Sequence, residues 1–195
     1  MIDDFKLFPT LVRRINNFLS AEECSIIQKE LLSRQDLLSG HGLLTEGSTS
    51  SHQKTIQEKE NIFDKLSIDL SDRVKQACSN YKQETGFYLK GIIDSSWFNV
   101  QNKNSILAEH THPNSILSGA LYTHVDEGSS EIYFHNPNSF ISYTYVEKHQ
   151  EYSYDWYCFK PELGSLFLFP SWLKHGSHTT QNQTEGRTVI SFNVL

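Results

Sequence analysis

The chain has 195 residues, 37% hydrophobic and 21% charged, which suits one globular domain with a full core and argues against disorder. A formal net charge of −6 and a pI near 5.8 leave no electrostatic footprint for nucleic acid or an anionic membrane surface. The cysteines Cys24, Cys78 and Cys158 are far apart and form no CxxC, which excludes a disulfide framework or thiolate zinc site and fits reduced thiols in a cytoplasmic protein.

The acidic start, Met1 to Asp4, lacks the apolar stretch of a signal peptide, and no apolar run approaches the ~18 residues that span a bilayer. Residues 5–19 read as an early extended segment containing Pro9. Ser20 with Glu23 three positions on is a capping box. Cys24, Ile27, Leu31 and Leu32 follow at helical spacing, so an amphipathic helix is predicted over 21–35. Residues 39–60, rich in Gly, Ser, Thr, Lys and Glu, read as a long loop and a candidate lid. A second helix is predicted over 61–84, with Phe63, Leu66, Leu70, Val74, Ala77, Cys78 and Tyr81 on one side and Gly86 as its stop.

From Phe87 onward the pattern changes to short β-rich runs at 87–93, 96–100, 105–112, 116–125, 130–135, 141–146, 152–160, 164–169, 174–178 and 187–194. Turn material such as Asn102-Lys103-Asn104 and Asp126-Glu127-Gly128 separates them. Many short strands with regular turns predict a sandwich or barrel. The expected organisation is a single domain, 1–195: a helical flank over 1–86 and a β core over 87–195.

Parity along two strands assigns their faces. Leu117, Leu121 and Val125 alternate with Ser118, Tyr122 and His124. Near the end, Ile190, Phe192 and Val194 alternate with Arg187, Val189, Ser191 and Asn193. The apolar faces are expected under the two helices and the polar faces around a cavity.

That cavity has candidate chemistry. In an extended strand His110 and His112 leave the same face, and imidazole is the commonest protein metal ligand. His175, after the apolar run and turn Leu168-Phe169-Pro170-Ser171-Trp172, is the best third ligand. Arg187 heads the last strand on its polar face and offers a rigid fork for a carboxylate.

Together these residues resemble the iron(II)/2-oxoglutarate-dependent dioxygenases, and within them a group of 2OG-Fe(II) oxygenases from bacteria and phages. The resembling stretches are Leu7-Phe8-Pro9-Thr10, Trp97-Phe98-Asn99, His110-Thr111-His112-Pro113 through Ser118-Gly119, and Leu121-Tyr122. They continue with Gly164 through Pro170-Ser171-Trp172-Leu173-Lys174-His175, and Arg187 through Phe192-Asn193. The resemblance implies a mainly β fold, a double-stranded β-helix (jelly-roll, cupin-like) with two helices packed on its major sheet. It implies iron(II) on His110, His112 and His175, with the 2-oxoglutarate carboxylate on Arg187. It makes Tyr122 a second donor to 2-oxoglutarate and puts Asn99 and Asn193 in reach of either ligand. The implied reaction hydroxylates a substrate with release of succinate and CO2.

Two positions depart from the superfamily pattern. His112 stands where Asp or Glu is usual, which leaves the site more positive, and Val189 stands where many relatives carry a Ser. The residues also suit a three-histidine cupin-like metalloprotein that uses no 2-oxoglutarate, or a non-catalytic jelly-roll binding module. The substrate is open; a small molecule or a peptide fits, and the charge counts against nucleic acid. His41, His52 and His149, in polar stretches, are given no role. His124, His135 and His178 read as surface or structural residues, and Trp97, Trp156 and Trp172 as core.

Overall fold

Ser20 starts the first helix as its sequence demands. Its hydroxyl accepts from the Glu23 N–H at 3.1 Å, and the Glu23 carboxylate accepts from the Ser20 N–H at 2.8 Å. This box opens α1 (Ala21–Leu32), whose Cys24, Ile27 and Leu31 are buried. The computed structural model describes residues 8–45, 47–150, 152–177 and 179–195. The acidic start, residues 5–7 of the expected extended segment and His178 therefore lie outside the described residues.

The second expected helix is shorter than its periodicity suggests. A 3₁₀ turn at Ile62–Lys65 precedes the break, and α3 (Ser71–Thr85) starts only after Asp69, whose carboxylate takes the Ser71 N–H at 3.1 Å. Short polar side chains that bond nearby backbone compete with a helix in this way. Gly86 closes α3 with φ +71°, a left-handed stop as expected.

The region 39–60 is not an open loop. It holds β2 (Thr49–Ser50) and α2 (His52–Glu58). Neither carries an apolar repeat; β2 pairs with the next strand and α2 packs against it.

The remaining strands are β1 (Arg13–Ile15), β3 (Ile93–Gln101), β4 (Leu117–His124), β5 (Ile132–His135), β6 (Trp156–Phe159), β7 (Leu166–Pro170), β8 (His175–Gly176) and β9 (Arg187–Val194). They form an antiparallel major sheet in the order β1-β7-β4-β9-β3-β2 and a minor sheet β6-β5-β8. This is the double-stranded β-helix, with α1 and α3 on the outer face of the major sheet.

Strand parity holds as read up to Tyr122; the β4–β9 register then shifts, so Val125 packs with the second core and not with Leu117 and Leu121, and His124 leaves the cavity face. Leu117, Leu121, Ile190, Phe192 and Val194 join Ile27, Leu31, Val74 and Tyr81 of the helices in one core. Tyr122, Ala120 and Val189, from the opposite face, join Phe134 and Phe169 in a second core between the sheets. Gly119 has a packing reason: the Phe192 ring lies where its Cβ would stand.

Three expected strands differ. Residues 87–92 precede the sheet, and 93–101 form one strand. Residues 105–112 make only isolated bridges, Leu107 with Leu44 and His110 with His175. Residues 139–143 form a 3₁₀ turn whose Asn138 oxygen accepts from the Phe140 N–H, and Tyr143 and Tyr145 stand exposed with no face to bury. Trp156 and Trp172 are likewise exposed rather than core.

Candidate functional site

The backbone brings the three histidines together before their side chains act. His110 and His175 exchange both backbone hydrogen bonds, at 3.0 and 3.1 Å, and the His112 N–H reaches the Ser171 carbonyl at 2.9 Å. The segment bearing His110 and His112 is thus zipped onto the start of β8, which carries His175, and onto the turn before it. Ring centroids lie 5.0 Å apart for His110–His112, 4.4 Å for His110–His175 and 5.1 Å for His112–His175.

Two tautomers are fixed by neighbouring carbonyls. His110 Nδ1 lies 2.9 Å from the Ala108 oxygen and His175 Nδ1 2.9 Å from the Leu173 oxygen. A carbonyl accepts only, so each Nδ1 carries the proton and each Nε2 keeps its lone pair for the site. His112 Nε2 sits 3.3 Å from His175 Nε2. A proton on His112 Nε2 bridges that gap; ligation through Nε2 would need that proton on Nδ1 instead.

Electrostatics agree. Burial lowers the pKa of His110, and that of His175 further. Burial and the neighbouring His110 and His52 bring His112 down to about 3. All three stay neutral, the form that ligates. The ligand atoms lie within 4.8 Å of one another. Two nitrogens each about 2.1 Å from one ion, roughly at right angles, stand about 3 Å apart, so the donor set fits a transition metal. Phe169 and Phe134 wall His175, their centroids 4.5 and 6.1 Å from its ring.

The triad opens into a cavity of about 430 Å³. At its inner end lies Arg187, 3% exposed. Its Nε donates to the Ser130 carbonyl at 3.2 Å, Nη1 to the Gln101 amide oxygen, and Nη2 to the Tyr122 hydroxyl at 3.4 Å. The guanidinium also lies 5.1 Å from the Tyr122 ring centroid. Burial lowers the Arg187 pKa and raises that of Tyr122, each opposed by the other group. None of Arg187's partners among the described residues is a carboxylate. Glu109, the acid nearest in sequence to the histidines, bonds His135 at 3.0 Å, Tyr133 at 3.1 Å and Lys174 at 3.4 Å instead. A buried cation with only neutral partners is an anion site.

Asn99 and Asn193 also line the cavity. The Asn99 amide reaches the Ser191 hydroxyl at 3.5 Å. Asn193 is bound on both sides, its oxygen accepting from the Ser118 hydroxyl at 2.8 Å and its amide donating to that of Ser95 at 3.3 Å.

The structure corrects one reading and adds two residues to the site. His41 and His52, given no role from their polar surroundings, line the same cavity. Trp97 is buried as expected, yet its indole faces the cavity, 5.6 Å from the His112 ring. Gln101 lines the cavity too, the parity of Trp97 and Asn99 extending to it. His124 faces Asp126 at 3.6 Å and His149 stacks on Tyr154, both away from the cavity.

Solved structures with this fold are similar over nearly the whole chain. A Pseudomonas putida prolyl-4-hydroxylase aligns with TM-score 0.59 at 12% identity, over 95% of this chain and 92% of its own. A Trichoplax adhaerens prolyl hydroxylase, solved with a peptide fragment of a hypoxia-inducible factor oxygen degradation domain, gives 0.63 at 11%, over 94% and 83%. HygX from Streptomyces hygroscopicus, solved with nickel and 2-oxoglutarate, gives 0.60 at 12%, over 95% and 82%. Comparison with curated proteins found no match.

The fold is therefore that of the 2-oxoglutarate oxygenases. The family model described as "Putative 2OG-Fe(II) oxygenase" matches residues 95–193, more than half of the chain, and the chain belongs to that family. Membership makes it an oxidoreductase and implies iron(II) and 2-oxoglutarate. No helix among the described residues is long and apolar enough to cross a membrane.

Proposed function

We propose that the chain is an iron(II)- and 2-oxoglutarate-dependent dioxygenase that hydroxylates a small-molecule or peptide substrate and releases succinate and CO2. The observation that carries this reading is Arg187: a buried guanidinium without a counter-ion among the described residues, sharing one cavity with three histidines whose free nitrogens converge. A cupin-like site without 2-oxoglutarate has no use for that charge.

His110, His112 and His175 would hold the metal through Nε2. When bound, iron(II) with 2-oxoglutarate and dioxygen supplies the oxidation, one oxygen atom entering succinate and the other the hydroxylated substrate. Arg187 receives the distal carboxylate of 2-oxoglutarate. Gln101 and the Ser130 carbonyl hold the guanidinium, while the Tyr122 hydroxyl donates a second hydrogen bond. That arrangement makes up for Val189, which cannot donate. The aromatic wall at Phe134 and Phe169 keeps water from the metal ligands. Asn99 and Asn193 face the reacting groups from β3 and β9. Helical flank and β core act as one domain, since α1 and α3 are buried against the strands that carry Tyr122 and Arg187. A cytoplasmic setting suits the free cysteines.

Anaerobic addition of iron(II) and 2-oxoglutarate should give a weak visible charge-transfer band, and aeration should then yield succinate. Arg187→Ala should lose the band while still binding metal; His175→Ala should lose both. A band that survives Arg187→Ala would overturn the assignment.

A further inference from the structure

Segment 39–60 is fastened beside the triad at both ends. Leu44 bridges Leu107, and the Ala108 N–H reaches the Leu43 carbonyl at 2.8 Å, so the first half runs along the stretch leading to His110. The second half extends the major sheet through β2. Ser51 closes a two-way pair with Phe98: its N–H donates to the Phe98 carbonyl at 2.9 Å, and its hydroxyl accepts the Phe98 N–H at 3.0 Å.

His52 follows at once. Its ring stands edge-on to Trp97 at 4.7 Å and to His41 at 5.2 Å, and Trp97 lies beside His112. A wall of rings thus runs from the metal ligands to the mouth. Its hydrogen-bonding capacity is largely spare. Neither His52 ring nitrogen has a hydrogen-bond partner among the described residues, and His41 Nδ1 accepts only the Leu43 N–H, at 3.3 Å.

Charge is divided along this cavity. Among the described side chains that line it, only Arg187 and Asp94 carry full charges. β3 sets them at opposite ends: Gln101, which pairs with Arg187 across the sheet, and Asp94 lie about 23 Å apart along an extended chain. Asp94 is exposed at the rim and has no ion-pair partner among the described residues.

We infer that the mouth half of the cavity, walled by Trp97, His52 and His41 and closed at its rim by Asp94, binds the substrate to be oxidised, and that this substrate carries an amine or guanidine group. This rests on the function proposed above, in which Arg187 is already taken by the co-substrate. An indole face attracts cations. A free imidazole nitrogen accepts from an ammonium or guanidinium N–H. The carboxylate at the rim completes the match, whereas a carboxylated or phosphorylated substrate meets repulsion from Asp94 and finds no cation among the described residues of this half. The basic group sits outward and the reacting C–H bond inward, toward the triad.

The test uses the anaerobic iron(II)–2-oxoglutarate complex, whose visible band reports the co-substrate by itself; if no band forms, the function proposed above fails first. With the band present, three probes are titrated: the N-acetyl N-methylamides of lysine, norleucine and glutamate. The lysine probe should perturb the band and bind about tenfold tighter than the norleucine probe, and the glutamate probe should not bind. Asp94→Asn should keep the band and cut the lysine preference about three- to fivefold, the range of an exposed ion pair, an effect that added salt reproduces. His52→Ala should weaken the lysine and norleucine probes alike, and His52→Gln should restore part of the loss. Asp94 is exposed, so its variant folds and keeps the test decisive. Equal affinity for lysine and norleucine probes, no binding of the lysine probe, or an unchanged preference in Asp94→Asn overturns the inference.

Discussion

At the scale of single residues, the buried imidazoles couple acid to stability. His112 has its pKa brought down to about 3, while an unfolded histidine titrates near 6.5. As pH falls below about 6.5 the unfolded chain takes up a proton that folded His112 refuses until about 3. The stability that neutral His112 contributes is therefore complete above 6.5 and drains away between those values. His110, His175, His41 and His52 are shifted in the same direction. In EDTA, the urea midpoint should drop between pH 7 and pH 5, and His112→Gln should flatten part of the slope; an identical slope in the variant would refute this. Gly119 poses a packing question instead. A methyl there meets the Phe192 ring, so Gly119→Ala should cost about 1–3 kcal/mol in urea unfolding. An unchanged midpoint would mean that the ring can move aside.

At the scale of elements, Ser51 is the joint to test. Its hydroxyl is the acceptor for the Phe98 N–H, and Phe98 is fully buried in β3. Ser51→Ala orphans that donor and should cost about 1–3 kcal/mol, with faster amide exchange at Phe98 and along α2. If exchange at Phe98 is unaltered, the segment is held by other means. The same joint shows where the sequence stops being readable. α1 and the strands β4 and β9 announce themselves, because a capping box and two-residue alternation are local signals. His110, His112, His175 and Arg187 were candidates because they fall on or beside such strands. Segment 39–60 sends no such signal: β2 has two residues, α2 seven, and both are fixed by partners some fifty positions away. His52 and His41 therefore carry no local sign of their place beside the triad. Asn138 misled in the opposite direction. The alternation of Ile141, Tyr143 and Tyr145 imitates a strand, but an Asn side chain capping Phe140 and the absence of a face to cover turn it into a 3₁₀ bend.

At the scale of the molecule, the site is where the two sheets meet, so filling it should tighten the whole fold. His110 and His112 come from the link between β3 and β4, and His175 from β8 of the minor sheet; backbone bonds and the side chain of Glu109 join the two across the gap. A metal on the three imidazoles ties the minor sheet to the segment beside the major one. A ligand that binds only the folded state stabilises by about 2.7 kcal/mol at a hundredfold excess over its Kd. For a chain of this size each kcal/mol moves the unfolding temperature by about 2–4 °C, which gives a rise of about 5–11 °C with iron(II) under anaerobic conditions. EDTA should reverse the rise, and His175→Ala should remove it. Adding 2-oxoglutarate to the metal form should raise the temperature again in the parent chain but not in Arg187→Ala. The second step separates the two centres. A metal-dependent rise without any response to 2-oxoglutarate leaves a three-histidine metalloprotein, and a melting curve indifferent to both leaves a binding module.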